Sequence, residues 1–188
     1  VDMNAIIGEI GRRNSFDFRM YQRAKNPYAA ELTSVLAPLL LDALKIGSRV
    51  VKVLVLDCDN TIWGGVISED GFNGINLDPN DSRGAMYRDV QRRILELKQL
   101  GLLICLVSKN DEQDVLNVLD NHEFQLIGRE DVVTWRINWD EKSKGIESIA
   151  SELDLGLSSF VFIDDSEFEC AEVQRKLPDV LVIAAPAR

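Results

Sequence analysis

The sequence predicts a three-layer α/β/α protein built on a central parallel sheet, and three observations carry that prediction. Short apolar runs alternate with amphipathic helical stretches from residue 52 onward, the pattern of repeated β-α-β units. The first run, Val53-Leu54-Val55-Leu56, is apolar at every position, as a strand covered on both faces must be. Three runs end in polar clusters: Asp57/Asp59, Ser108/Lys109/Asn110 and Asp164/Asp165. Parallel strands deliver their tips to a single edge, where open α/β sheets place their chemistry.

Residues 1–48 read as a helical lead-in. Val1 to Lys25 is mixed, with Arg12, Arg13, Arg19, Arg23 and Lys25 spread along it, and Val1 in place of an initiating Met reads as an excised or processed piece. Asn26-Pro27 starts a helix, with Pro at its first position. The stretch from Tyr28 to Lys45 then carries Leu32, Val35, Leu36, Leu39, Leu40 and Ala43 on one face, with a kink or break at Pro38 and an end near Gly47.

Residues 49–188 form the expected catalytic domain. Lys52 to Asp57 is its first strand. Four glycines between Trp63 and Leu77 predict tight turns or a small hairpin, a flap at about residues 63–78 above the first strand tip. Asn80-Asp81-Ser82 caps a long helix from Arg83 to Leu100 that stops at Gly101. Leu102 to Val107 is a second strand. Asp111 or Asp114 opens a helix to about His122, Phe124 to Ile127 reads as a short strand, and Trp135 to Trp139 reads as loop or short helix. Asp140 caps a helix from Glu141 to Leu153. Phe160 to Ile163 is a strand, Glu167 to Lys176 a helix stopped by Pro178, and Val180 to Ile183 the last strand.

Composition narrows the function. A net charge of -10 argues against general nucleic-acid binding. No apolar run reaches membrane-spanning length, and no signal-peptide pattern stands out. Cys58, Cys105 and Cys170 show no metal spacing and no even disulfide framework, which fits a reduced, cytoplasmic compartment. With His122 the only histidine, chemistry falls to carboxylates, Lys, Ser and Cys.

Four carboxylates gathered at one edge repel one another unless a cation neutralises them. An oxygen-rich site without His or Cys ligands suits Mg2+, and such sites usually act on phosphate. A carboxylate can also attack phosphorus as a nucleophile. Alternation puts Asp57 and Asp59 on one side of an extended backbone, a nucleophile paired with a general acid-base. The Ser and Asn of the second tip, with a Lys, would hold phosphoryl oxygens.

Asp57-Cys58-Asp59-Asn60-Thr61 resembles the Asp-x-Asp-x-Thr first motif of the haloacid dehalogenase (HAD) superfamily. Ser108, a Lys in the Glu141–Lys144 stretch and Asp164-Asp165 resemble its later motifs, in order, over roughly residues 52–183. Finer detail resembles the FkbH-like glyceryltransferase-phosphatases of polyketide biosynthesis: Asp-Cys-Asp-Asn-Thr-Ile-Trp-Gly-Gly-Val-Ile, Val-Ser-Lys-Asn-Asp, Asn-Trp-Asp-Glu-Lys-Ser and Phe-Val-Phe-Ile-Asp-Asp-Ser. The resemblance implies a HAD-like Rossmannoid domain that dephosphorylates 1,3-bisphosphoglycerate or a related acyl phosphate and loads the glyceryl unit as a thioester on an acyl carrier protein. It implies Asp57 as nucleophile or metal ligand, and Asp59 as acid-base with its carbonyl on the metal. Thr61 and Ser108 would bind phosphate, Lys142 would stabilise phosphoryl charge, and Asp164 or Asp165 would complete the magnesium site. Lys144 competes with Lys142 for its role. Trp63 lines the pocket or anchors the flap, and Lys109 and Asn110 lie near the substrate.

Cys58 stays open between an acyl-bearing thiol and a small buried residue at a strand end. Alternation points it away from Asp57 and Asp59, and flanking carboxylates raise a thiol pKa. Arg129 and Arg136 are candidates for a distal phosphate. Arg83, Arg88, Arg92, Arg93 and Lys98 form either a docking patch for an acidic carrier or a solvated face. Two other functions compete: a simple magnesium phosphatase of a small metabolite, and a non-catalytic docking module of a synthase.

Overall fold

A computed structural model describes residues 7, 8, 10–17, 29 and 50–185. The chain divides into two compact units, Val1–Arg49 and Val50–Arg188. In the first, a one-turn helix spans Arg12–Ser15, and the Ala29 amide donates to the Ser15 carbonyl at 3.0 Å. The helix expected over Tyr28 to Lys45 lies outside the described residues.

The second unit is the three-layer domain. Its strands are β1 (Val53–Leu56), β2 (Leu103–Ser108), β3 (Val132–Ile137), β4 (Phe160–Asp164) and β5 (Leu181–Ala184). All pair in parallel, in the order β3-β2-β1-β4-β5. β1 is therefore central, with its two neighbours reached by chain running in opposite directions, and a crevice opens at such a reversal. The helices are α1 (Ser82–Gln99), α2 (Glu112–Asn121), α3 (Lys142–Leu153) and α4 (Glu167–Lys176).

Period-two alternation divides the strands between two cores. Leu54, Leu56, Ile104 and Leu106 pack with Tyr87 and Ile94 of α1 and Val115 to Leu119 of α2. Val53, Val55, Cys105, Val107, Phe160 and Phe162 pack with Ile146 and Ile149 of α3 and Val173 of α4. The continuous apolar run of β1 follows from this double cover.

Two expectations fail for local reasons. Phe124–Ile127 is not a strand, because the Leu126 and Ile127 amides donate to Gln91 Oε1 of α1 instead of to a ladder. The strand is β3, which begins at Val132 and runs through residues expected to be loop or helix. At the edge of the sheet its burial is broken, with Val133 exposed, and Arg136 turns to Ser148 and Glu152 of α3. The β-branched Val132-Val133-Thr134 is the signal that marks it.

The glycine-rich segment after β1 closes on itself. Gly64 and Asn76 exchange two backbone hydrogen bonds, around a one-turn helix at Ile67–Asp70 and a 3-10 turn at Phe72–Gly74. Trp63, Ile67, Ile75 and Leu77 from this segment are buried in the core. Among the described residues no helix is long and apolar enough to cross a membrane.

Candidate active site

The tip of β1 turns sharply because Cys58 O accepts from the amides of Thr61 and Ile62. Asn60 takes a positive φ of 51°, a conformation that Asn tolerates, and its Oδ1 accepts from the Gly65 amide. This turn brings Trp63 back over Asp59, while Asp57 stays level with the tips of β2 and β4.

Asp57 is almost wholly buried. Ser108 Oγ from β2 donates to its Oδ1 at 2.8 Å, and Lys142 Nζ lies 2.8 Å from the same oxygen. Lys142 Nζ also lies 2.6 Å from Asp164 Oδ2 at the end of β4. The other Asp164 oxygen accepts from the Ser166 amide. Lys142 is the first residue of α3, so that helix start aims the ammonium into the crevice. Lys144, by contrast, is exposed and pairs with Glu141.

Asp57, Asp164 and Asp165 each offer a ligand oxygen, and the three oxygens lie within 4.8 Å of one another. The cluster has the chemistry of a hard-cation site: oxygen donors only, with a charge excess that one lysine does not cancel. The pKa shifts record burial first and charge second. Burial pushes Asp57 up to about 6, with Lys142 opposing and Asp164 adding. Burial and then Asp164 raise Asp165 as well. Burial alone would lower Lys142, but Asp57 and Asp164 outweigh it and hold the ammonium charged.

The Asp59 side chain takes no part in that trio. Its Oδ1 accepts from Trp63 Nε1 at 2.9 Å and the Ile67 amide at 3.2 Å, and its Oδ2 accepts from Asn110 Nδ2 at 3.0 Å. Asn110 Nδ2 also reaches Ser108 Oγ at 3.0 Å, so one amide group ties the Asp59 and Asp57 sides together. Trp63 has no exposed surface, and it meets Asp59 through its indole hydrogen bond and a backbone bridge. Lys109 is half-buried, tied to Glu169 of α4 at 2.7 Å. Thr61 Oγ1 is buried without a hydrogen bond among the described residues and so does not engage the cluster.

Cys58 is fully buried in the α1/α2-side core. Burial, with Asp57 second, drives its thiol well above the ordinary range, away from the nucleophilic thiolate. A Cys58→Ala variant is expected to lose about 1 kcal/mol of stability to the small cavity, which urea unfolding checks.

The more distant basic residues are engaged. Arg129 pairs with Asp120, Arg92 with Asp89, Arg93 with Glu96 and Lys98 with Asp131, and Arg88 donates to Phe124 O. The backbone amide of Ile67 is the contact to Asp59 that residue types could not reveal, since every amino acid except Pro offers one.

A parallel five-stranded sheet, its helical layers and this cluster at the β1 tip define the HAD-like α/β fold, and solved structures agree. The N-terminal part of the protein BF1531 from Bacteroides fragilis, which contains a phosphatase domain and is complexed with magnesium, superposes with a TM-score of 0.77 at 29% identity over 98% of this chain. The present chain spans about half of that one, 49%. A HAD family enzyme of Bacteroides thetaiotaomicron in its magnesium complex matches at TM-score 0.51 and 14% identity, over 74% of this chain and 95% of its own. A HAD-superfamily hydrolase of subfamily IA from Geobacter sulfurreducens matches at 0.51 and 14%, over 73% and 92%. These last two bear on the fold alone. No protein-family profile matches the chain, and no curated protein matches it.

Proposed function

We propose that the chain is a magnesium-dependent phosphatase of the HAD type acting on a small phosphorylated substrate. The convergence of Asp57, Asp164 and Asp165 beside Lys142, with Asp59 hydrogen-bonded at the rim, carries this reading. The magnesium of the Bacteroides fragilis phosphatase-domain structure supports it. Magnesium held by the three aspartates would offset their mutual repulsion and polarise a phosphoryl oxygen.

The residues then divide the work. Ser108 and Lys142 engage Asp57 Oδ1, which leaves Oδ2 to attack phosphorus. A new oxygen–phosphorus bond forms, the bond to the leaving oxygen breaks, and that oxygen keeps the electron pair and takes a proton from Asp59. Water then attacks the phosphorus of the aspartyl phosphate, Asp59 takes its proton, and phosphate leaves with Asp57 restored.

Within this reading the substrate is 1,3-bisphosphoglycerate or a related acyl phosphate, and the glyceryl unit passes to an acyl carrier protein, as the FkbH-like motifs around Asp57, Ser108, Lys142 and Asp164 imply. In the transfer the carrier thiolate attacks the acyl carbon, a thioester forms, and the bond from that carbon to the phosphate oxygen breaks. The thiol proton goes to solvent. The buried Cys58 favours direct transfer to the carrier over an enzyme thioester. Three unpaired cysteines favour a cytoplasmic setting.

Intact-mass measurement of a carrier protein incubated with the enzyme, Mg2+ and 1,3-bisphosphoglycerate tests both levels. Phosphate release with a glyceryl adduct on the carrier is expected. Release without an adduct leaves a phosphatase and sinks the transfer, and no release sinks both.

The metal leaves a signature without turnover. Asp57 titrates near 6 in the folded chain against an ordinary 3.8, so the folded state holds its proton longer. In EDTA, the contribution of Asp57 to stability is therefore fully present below the lower value and is lost as pH rises through the higher one. Metal binding requires the ionised carboxylate. Mg2+ is thus expected to raise the melting temperature more at about pH 7 than at about pH 5, and an equal shift at both would refute the proton linkage.

A further inference from the structure

Asp59 is held by the segment that follows it. Two donors, the Trp63 indole and the Ile67 amide, fall on Oδ1, while Oδ2 accepts only from Asn110 among the described residues. The indole can make this bond because the turn at Cys58 to Ile62 folds Trp63 back, and complete burial in the core fixes the ring. A carboxylate pinned at one oxygen by a rigid aromatic donor and a backbone amide has its second oxygen fixed in direction. Asp59 itself is only half-buried, and its Oδ2 is bonded to Asn110, which also reaches Ser108 beside Asp57.

We infer that Trp63 is a positioning residue for proton transfer: with the Ile67 amide it occupies Asp59 Oδ1 and so assigns Oδ2 as the oxygen that gives its proton to the leaving group. This rests on the phosphatase reading and deepens it. Trp63 touches no substrate and acts through Asp59. The consequence is selective. A leaving alkoxide needs the proton and a p-nitrophenolate does not, so loss of the indole hydrogen bond slows transfer of the phosphoryl group to Asp57 from the first substrate and spares that step for the second. A tryptophan that serves packing alone would affect both alike.

Two variants remove the N–H: Trp63→Phe and, by site-specific incorporation, β-(3-benzothienyl)alanine at position 63, which keeps the bicyclic shape if the smaller ring fails to fold. In a single turnover, release of the alcohol from glycerol 3-phosphate is expected to slow about tenfold and release of p-nitrophenolate from p-nitrophenyl phosphate by no more than about twofold, because this half-reaction precedes the attack of water in which Asp59 serves both substrates alike. Asp59→Asn should show the same selectivity in this first half-reaction, while steady-state turnover of both substrates falls because the attacking water then lacks its base, and adding Trp63→Phe to it should cost nothing more. In 15N-labelled protein the Trp63 indole N–H signal should move in Asp59→Asn, independent of turnover. Equal losses on both substrates, no loss on either, or additive losses in the double variant would overturn the inference. A wild-type protein that releases phosphate from neither substrate, with the indole signal still responding to Asp59→Asn, overturns the phosphatase reading and with it the proton-transfer role.

Discussion

Asp57→Asn is expected to abolish phosphate release, with kcat falling by at least about 10³-fold. The amide keeps the shape of the side chain and can still meet Ser108 Oγ, but it cannot attack phosphorus or serve as an anionic metal ligand. Both roles rest on one buried carboxylate, so no neighbour substitutes: Asp164 is pinned by Lys142 and the Ser166 amide, and Asp59 by three donors. The fold should survive. Asp57 is pushed up by burial, so its ionised form carries a cost that the amide avoids, while Lys142 keeps Asp164 as a partner. Single-turnover phosphate release alongside thermal unfolding separates loss of chemistry from loss of structure. A docking module would show no change, because there would be no release to lose. Residual activity above about one-hundredth of wild type would mean that Asp57 is not the nucleophile.

That the same carboxylate could be singled out from sequence follows from what a strand tip is. The apolar run Val53–Leu56 fixes a central strand, and the next polar residue must emerge at its end. The same logic places Ser108 and Asp164, and the three meet because the strands are parallel neighbours in register, Leu56 lying level with both Leu106 and Ile163. What stayed hidden lies off the strands. β3 is an edge strand whose alternation is broken by Trp135 and Arg136, so its period is weak. The false strand at Phe124–Ile127 has an apolar composition, but its amides are claimed by Gln91, a side chain more than thirty residues away. The indole bond of Trp63 to Asp59 was not legible either, because a turn of the chain decides which way an aromatic ring faces. Lys142 over Lys144 was a preference from local motif context. The geometric reason is that the first residue of α3 faces the crevice, while the residue two positions on faces solvent.

Lys142→Met carries the largest expected effect on stability. In the metal-free protein this lysine is the only cation within 4.0 Å of the buried Asp57 and Asp164 among the described residues, at 2.8 and 2.6 Å. Methionine preserves most of the volume and removes the charge, leaving carboxylates that repel one another without compensation. Removal of one partner from a buried ion pair costs about 3–5 kcal/mol, a large share of the roughly 5–15 kcal/mol that holds a domain together. Urea unfolding in EDTA at about pH 7 should show that loss. Two conditions should reverse most of it, each for its own reason. At about pH 5 the Asp57 carboxyl, pushed up by burial and no longer held down by Lys142, takes up a proton and the repulsion falls. With Mg2+ present, the ion replaces the missing positive charge by coordinating the same oxygens. Under the proposed mechanism activity should not return with the fold, because the ammonium expected to steady phosphoryl charge is still missing. A Lys142→Met protein as stable as wild type in EDTA near neutral pH would mean that the aspartates share protons and not a cation, and the case for a built metal site would fail with it.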